Sequence, residues 1–123
     1  MKQVLVTGAS GFIGRHVLPK LIERDYEIHC TFHKSKPETI SYKNNVTWHQ
    51  IDLLKTNEIK ILFNNIHPSH LLHFAWDVTP GQYVNSVNNL YWLDATLHLV
   101  NEFIQSDGKR VICSGTCFEY DLR

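Results

Sequence analysis

Three glycines, Gly8, Gly11 and Gly14, recur at intervals of three in the run Thr7-Gly8-Ala9-Ser10-Gly11-Phe12-Ile13-Gly14. Residues of this kind between a strand and a helix suit a bound anion. Gly8 allows a tight turn, Gly11 lets backbone approach a pyrophosphate, and Gly14 lets the helix pack closely on the strand. A helix starting there offers free N–H groups and a partial positive charge to phosphate oxygens. The chemistry implied is dinucleotide binding; the bland alternative is an ordinary turn.

The surrounding pattern supplies the elements such a turn requires. Lys2–Thr7 is short, apolar and β-branched, which predicts a buried parallel strand. From Phe12 to Arg24, Ile13, Val17, Leu18, Leu21 and Ile22 fall at helical spacing, with Pro19 expected to kink the helix. Further strands are predicted at Glu27–Phe32, Val46–Ile51, His70–Phe74 and Arg110–Ser114. A helix capped by Thr56 presents Ile59, Leu62, Phe63 and Ile66, and a long helix spans about Tyr83 to Ser106 before Asp107-Gly108. Alternating strands and helices imply right-handed crossovers and an α/β fold. The expected architecture is a three-layer, Rossmann-like, doubly wound parallel sheet of about five strands in the order 3-2-1-4-5. On the long helix, Val87, Leu90, Leu97, Val100 and Ile104 form a stripe expected to cover the sheet. Trp92, Leu99 and Phe103 form a second, expected to face outward toward a partner helix.

The GxxGxxG spacing, distinct from GxGxxG, resembles the short-chain dehydrogenase/reductase superfamily, and four further stretches resemble its extended branch, the NAD-dependent epimerase/dehydratase family. Asp52-Leu53 resembles the acidic–apolar pair that touches the adenine. His73-Phe74-Ala75-Trp76 resembles the stretch beneath the cofactor's central part, and Asn89 matches an asparagine near the cofactor. Ser114-Gly115-Thr116-Cys117-Phe118-Glu119-Tyr120 resembles the SSxxxYG run, which puts Thr116 in the place of the catalytic hydroxyl. All four follow strand ends, where open α/β sheets bind ligands. The resemblance implies an NAD(P)-dependent epimerase, dehydratase or reductase acting on a nucleotide-activated sugar. It also implies that the long helix 83–106 pairs with a second copy across a two-fold axis.

The resemblance also implies a tyrosinate general base lowered in pKa by a lysine four residues on, a spacing that puts both on one helix face. Four residues after Tyr26, Tyr42, Tyr83 and Tyr91 stand Cys30, Val46, Val87 and Ala95, and Tyr120 lies too near the last residue to have such a partner. The expectation is therefore an incomplete cofactor-binding domain over residues 1–123, without the family's C-terminal substrate region and inactive alone, and with its fifth strand an exposed edge. A non-catalytic NAD(P)-sensing module is the alternative, and a degenerate remnant a third possibility.

Cofactor choice is set at the end of the second strand, where an acid holds a ribose 2′-hydroxyl or a base a 2′-phosphate. That strand ends Cys30-Thr31-Phe32-His33-Lys34, with no carboxylate expected in reach. His33 and Lys34 could meet a 2′-phosphate, so the reading leans to NADP over NAD, the alternative being that both are solvated loop residues.

Other chemistries have less support. His70 and His73, three apart on a strand, must point to opposite faces, and the remaining histidines show no HExxH spacing, so no metal site is expected. Cys30, Cys113 and Cys117 form no CxxC pair, and Cys113 and Cys117 read as buried thiols. Lys+Arg and Asp+Glu both total 12, which with no basic run leaves no electrostatic footprint for nucleic acid or an anionic membrane. Hydrophobic residues at 43% and charged residues at 20% exclude a disordered chain, and no apolar stretch could span a bilayer. With no signal peptide legible after Met1, a cytoplasmic location is expected.

Overall fold

Gln3–Thr7 and its neighbour Glu27–Phe32 are buried along almost their whole length, as strands covered on both faces are. The computed structural model describes residues 1–34 and 45–116. Five strands, β1 (Gln3–Thr7), β2 (Glu27–Phe32), β3 (Val46–Gln50), β4 (His70–His73) and β5 (Arg110–Cys113), form one sheet in the order β3-β2-β1-β4-β5. Every neighbouring pair is parallel, as expected from the alternation of elements. The helices are α1 (Phe12–Glu23), α2 (Thr56–Asn65) and α3 (Asn88–Gln105).

Because side chains alternate along a strand, each sheet face collects its own core. Val4, Val6, Ile28 and Cys30 meet Leu18 of α1 on one face. Leu5 and Leu71 meet Ile59, Leu62 and Phe63 of α2 and Leu99 and Phe103 of α3 on the other. The result is the three-layer arrangement. The same alternation sends His70 toward Tyr26, edge to face at 5.9 Å, and His73 to the opposite side against Thr7.

Three local expectations need correction. The helix predicted from Tyr83 begins at Asn88, since a separate 3-10 turn at Tyr83–Asn85 precedes it and Ser86 is extended. Ser86 then accepts the Asn88 amide at Oγ and the Asn89 amide at its carbonyl. Thr56 does not cap α2: it is the first helical residue. Lys55 precedes the helix without a side-chain cap, and just ahead of it the Asp52 carboxylate accepts the Leu54 N–H while Glu58 in the first turn accepts the Asp52 N–H.

The third concerns the two stripes of α3, whose roles are exchanged. Ala95, Leu99 and Phe103 are buried with Trp92 packed beside them, while Leu90, Leu97 and Ile104 are each more than 60% exposed. Both rows satisfy helical spacing, so periodicity could not choose between them. The Phe103 ring decides: it lies where a Cβ on Gly108 would stand, and so locks that row inward at the turn into β5. Val100 alone of the first stripe packs against the core, and Val87 precedes the helix.

Among the described residues the outer strand β5 pairs only with β4, and Ile112 and Cys113 on it are exposed. Its edge position leaves Cys113 uncovered, against the expectation of a buried thiol; Cys117 lies outside the described residues. Cys30, by contrast, is sealed between β1 and α1, and burial pushes its thiol up to about 12, which makes it a packing residue.

Candidate functional site

All the strands end on one side of the sheet, and the segments leaving β1, β2, β3 and β4 surround an open cavity of about 480 Å³. Its floor is the glycine turn. Gly8 adopts φ +63°, a conformation that favours glycine, and a Cβ there would come within 2.7 Å of the Ala75 nitrogen. At Gly14 a Cβ would fall against the Gly8 carbonyl and within 2.6 Å of the Ala9 Cα, so backbone packs on backbone. Gly11 differs: its added Cβ would meet only the Gly8 oxygen, at 3.2 Å. The face of Gly11 is therefore open, as a site for close approach needs. Gly11 precedes α1 with no side-chain cap, and the first turn contains no acidic residue, so no side-chain anion competes for the helix's positive end.

The end of β4 is fixed to the turn by Thr7, which is fully buried. Its Oγ1 accepts the Phe74 and Ala75 amides at 3.1 and 3.2 Å. With its acceptor role taken, the hydroxyl donates to His73 Nδ1 at 2.6 Å, and His73 Nε2–H donates to Thr96 Oγ1 at 2.9 Å. Burial lowers the His73 pKa to about 4, which holds the ring in the neutral form this tautomer requires. Neither Thr7 nor His73 was read as functional from the sequence in its own right; the polar threonine closing an apolar strand was the available signal.

Beyond Ala75, Trp76 stacks on Trp92 with ring centroids 6.1 Å apart and donates its Nε1–H to Asn89 Oδ1 at 2.8 Å. The Asn89 amide donates in turn to the Tyr83 carbonyl at 2.6 Å. Asn89 thus braces Trp76 and lines a second cavity of about 360 Å³, bounded also by Val78, Ser114, Gly115 and Thr116. Trp76 and Val78 belong to both cavities.

Ser10, Phe12, Ile13, Leu53, Phe74, Ala75 and Trp76 join the three glycines, His33 and Asp52 around the first cavity. Asn89 and Thr116 lie in the second, and Lys34 is exposed and lines neither. One expectation is overturned: a carboxylate does reach the end of β2. His33 Nε2 stands 3.6 Å from Asp52 Oδ2. Phe32 and Gln50 are register partners on adjacent strands, so the residues that follow them meet, a proximity hidden by 19 positions of sequence. Trp92 was also missed, because its row was assigned to the outer face of the helix.

Among the described residues, no group of three or more His, Cys, Asp or Glu side chains could hold a metal ion. No helix among them is long and apolar enough to cross a membrane.

A parallel sheet in this order, with a glycine turn between its first strand and helix, defines a Rossmann-like, doubly wound α/β fold. The model of the NAD dependent epimerase/dehydratase family matches residues 4–122, and the chain belongs to that family. It is 36% identical over 83 residues to dTDP-D-glucose 4,6-dehydratase of Homo sapiens, a match covering 60% of this chain and 23% of that protein. It is 25% identical over 130 residues to a UDP-glucose 4-epimerase of Cyamopsis tetragonoloba, covering 95% of this chain and 37% of that one. The chain thus spans well under half the length of these curated relatives. In fold it is similar to a short chain dehydrogenase of Leptospira borgpetersenii solved with bound NAD+, with TM-score 0.81 and 20% identity, covering 99% of this chain and 54% of that chain.

Proposed function

We propose that residues 1–123 form the cofactor-binding part, incomplete as a family domain, of an NAD(P)-dependent epimerase, dehydratase or reductase acting on a nucleotide-activated sugar. The observation that carries this reading is the open face of Gly11 at the uncapped start of α1, set between tightly packed Gly8 and Gly14 in one cavity. These residues fit a dinucleotide: backbone N–H groups for the pyrophosphate, Asp52 and Leu53 for the adenine, and Phe74, Ala75 and Trp76 for the central part. His33 and Lys34 are the basic groups for a 2′-phosphate, the basis of a lean to NADP. Asn89 acts by holding Trp76. When bound, the nicotinamide supplies hydride transfer; Thr116, in the second cavity, would orient the substrate oxygen. The nucleotide-sugar substrate class is supported by the dehydratase and epimerase relatives.

Calorimetric titration of the purified chain with NAD+ and NADP+ tests the proposal. Saturable binding of a dinucleotide is expected, and Gly11→Leu should weaken it more than tenfold while leaving the fold intact, since φ at Gly11 is −76°. A folded chain that binds neither dinucleotide, or a Gly11→Leu variant that binds normally, refutes it. The exposed row Leu90, Leu97 and Ile104 is the surface through which a second copy would pair. Mass in solution checks this: Leu97→Glu should convert a dimer to a monomer.

A second reading is a non-catalytic dinucleotide-sensing module, which the glycine turn and its cavity would serve equally. The DNA immediately downstream separates the two. A continuing frame that encodes a Tyr-x-x-x-Lys pair favours the enzyme, and a stop before an unrelated gene favours the module.

A further inference from the structure

Two histidines on adjacent strands meet at a place outside both cavities. His29 of β2 is the register partner of Leu5, so it lies on the sheet face that α2 and α3 cover. His49 of β3 is the register partner of Thr31, two residues beyond His29, and therefore shares that face. His29 Nδ1 and His49 Nε2 stand 2.9 Å apart. The other ring nitrogen of His29, Nε2, is 3.2 Å from Glu27 Oε1, and the second oxygen of Glu27 accepts from Gln3 Nε2 at 3.3 Å.

These contacts fix the protons. A carboxylate only accepts, so His29 Nε2 carries the hydrogen and donates it to Glu27. His29 Nδ1 is then bare, and the bond between the rings is donated by His49 Nε2–H. His29 is buried, whereas His49 is half-buried and lines a cleft of about 450 Å³ between β3 and α2, with Glu58, Ile61, Leu62 and Asn65 around it. Burial, and then His29 beside it, lower the His49 pKa from its ordinary value, which favours the neutral ring that binds metal.

A histidine that donates one N–H to a carboxylate and keeps its other nitrogen bare has the arrangement that stands behind metal ligands. Two imidazole nitrogens bound at right angles, with bonds of about 2.05 Å, lie about 2.9 Å from each other. That spacing is already present between the two rings. We infer that His29 Nδ1 and His49 Nε2 form a two-histidine clip for a divalent transition metal of square or octahedral preference, such as Ni2+ or Cu2+, with water from the cleft completing its coordination. His29 is held by Glu27, so His49 is the ring that turns to aim its nitrogen at the ion, and its proton passes from Nε2 to Nδ1. Glu27 faces the far nitrogen of His29 and backs the site without joining it. The bound ion would tie β3, outermost on its side of the sheet, to β2.

The test titrates nickel chloride into the chain, free of any histidine tag, by calorimetry, with the thermal midpoint followed in parallel. One saturating equivalent is expected, with a midpoint that rises with metal concentration. His49→Gln keeps an N–H donor for His29 Nδ1 but removes the ligand, and should weaken binding more than tenfold. Glu27→Gln should weaken it about tenfold, the usual effect of losing a carboxylate behind a ligand. The control is His98→Gln, since His98 and Asp94, 3.4 Å apart on one face of α3, are an exposed pair that could hold metal instead; this variant should bind as the wild type does. A folded His49→Gln or Glu27→Gln variant with unchanged affinity, a loss of binding in His98→Gln, or a wild type that binds no Ni2+ overturns the clip.

Discussion

Replacing Thr7 by valine should destabilise the protein by about 4 kcal/mol, although the two side chains have nearly the same shape. Thr7 has no exposed surface, so valine fills its space and opens no cavity. What disappears is one oxygen with three partners. The Phe74 amide retains the Thr7 carbonyl, 3.2 Å away. The Ala75 amide loses its acceptor and His73 Nδ1 loses its donor. A buried polar group left without a partner costs about 1–3 kcal/mol; His73 is 4% exposed and falls at the high end, whereas the half-buried Ala75 falls at the low end, which gives the total. Thr7→Ser keeps the hydroxyl and loses one methyl, at about 1 kcal/mol. Urea unfolding of the three proteins, followed by circular dichroism, measures both differences. Should Thr7→Val prove as stable as the wild type, or more stable than Thr7→Ser, the hydroxyl would not be holding β4 to the turn.

Two further outcomes follow from the same region. His73 has its pKa lowered to about 4 from the usual 6.5, so between these values the unfolded chain binds a proton that the folded one refuses. Stability is therefore complete above about pH 6.5 and falls as pH drops toward 4, by about 3 kcal/mol from this group; an NMR titration of the His73 ring with a midpoint near 6.5 would contradict it. Gly14→Ala should cost about 3 kcal/mol or prevent folding, because the new Cβ meets backbone at Gly8 and Ala9 that cannot move aside. Thermal unfolding checks this, and a midpoint within a degree or two of the wild type would show that α1 is free to shift.

The sheet order and the glycine turn were legible because each rests on local signals: apolar runs bounded by turns, and a residue type that only tight backbone packing demands. The inward row of α3 was not. Leu90, Leu97 and Ile104 satisfy helical spacing as well as Trp92, Leu99 and Phe103, and only the contact between Phe103 and Gly108 distinguishes them. The start of α2 was misread for a related reason. Thr56 is a good cap by type, but the chain is already helical there, and Lys55 precedes the helix with no side-chain cap. The His33–Asp52 pair was illegible because it depends on β3 lying beside β2, which brings together two residues that are remote in sequence.

The strand order also explains why the cavities sit where they do. α1 leaves β1 toward one face of the sheet, and α3, which follows β4, packs on the other. At the boundary between β1 and β4 the two connections therefore diverge and leave a crevice. Gly8 and Ala75 approach each other across that boundary, and Thr7 and His73 are bonded beneath it. Outward on one side stand His33 and Asp52, at the ends of β2 and β3; outward on the other stands Thr116, after β5. With strands about 4.8 Å apart, four spacings span about 19 Å, so the sheet lays these groups out in a line. On the proposed reading an extended dinucleotide follows that line, with its adenosine end toward His33 and Asp52 and its reactive end toward Thr116. The Thr7–His73–Thr96 chain then has a definite task. It bonds β1, β4 and α3 together directly beneath the crevice, beyond the backbone pairing of the two strands.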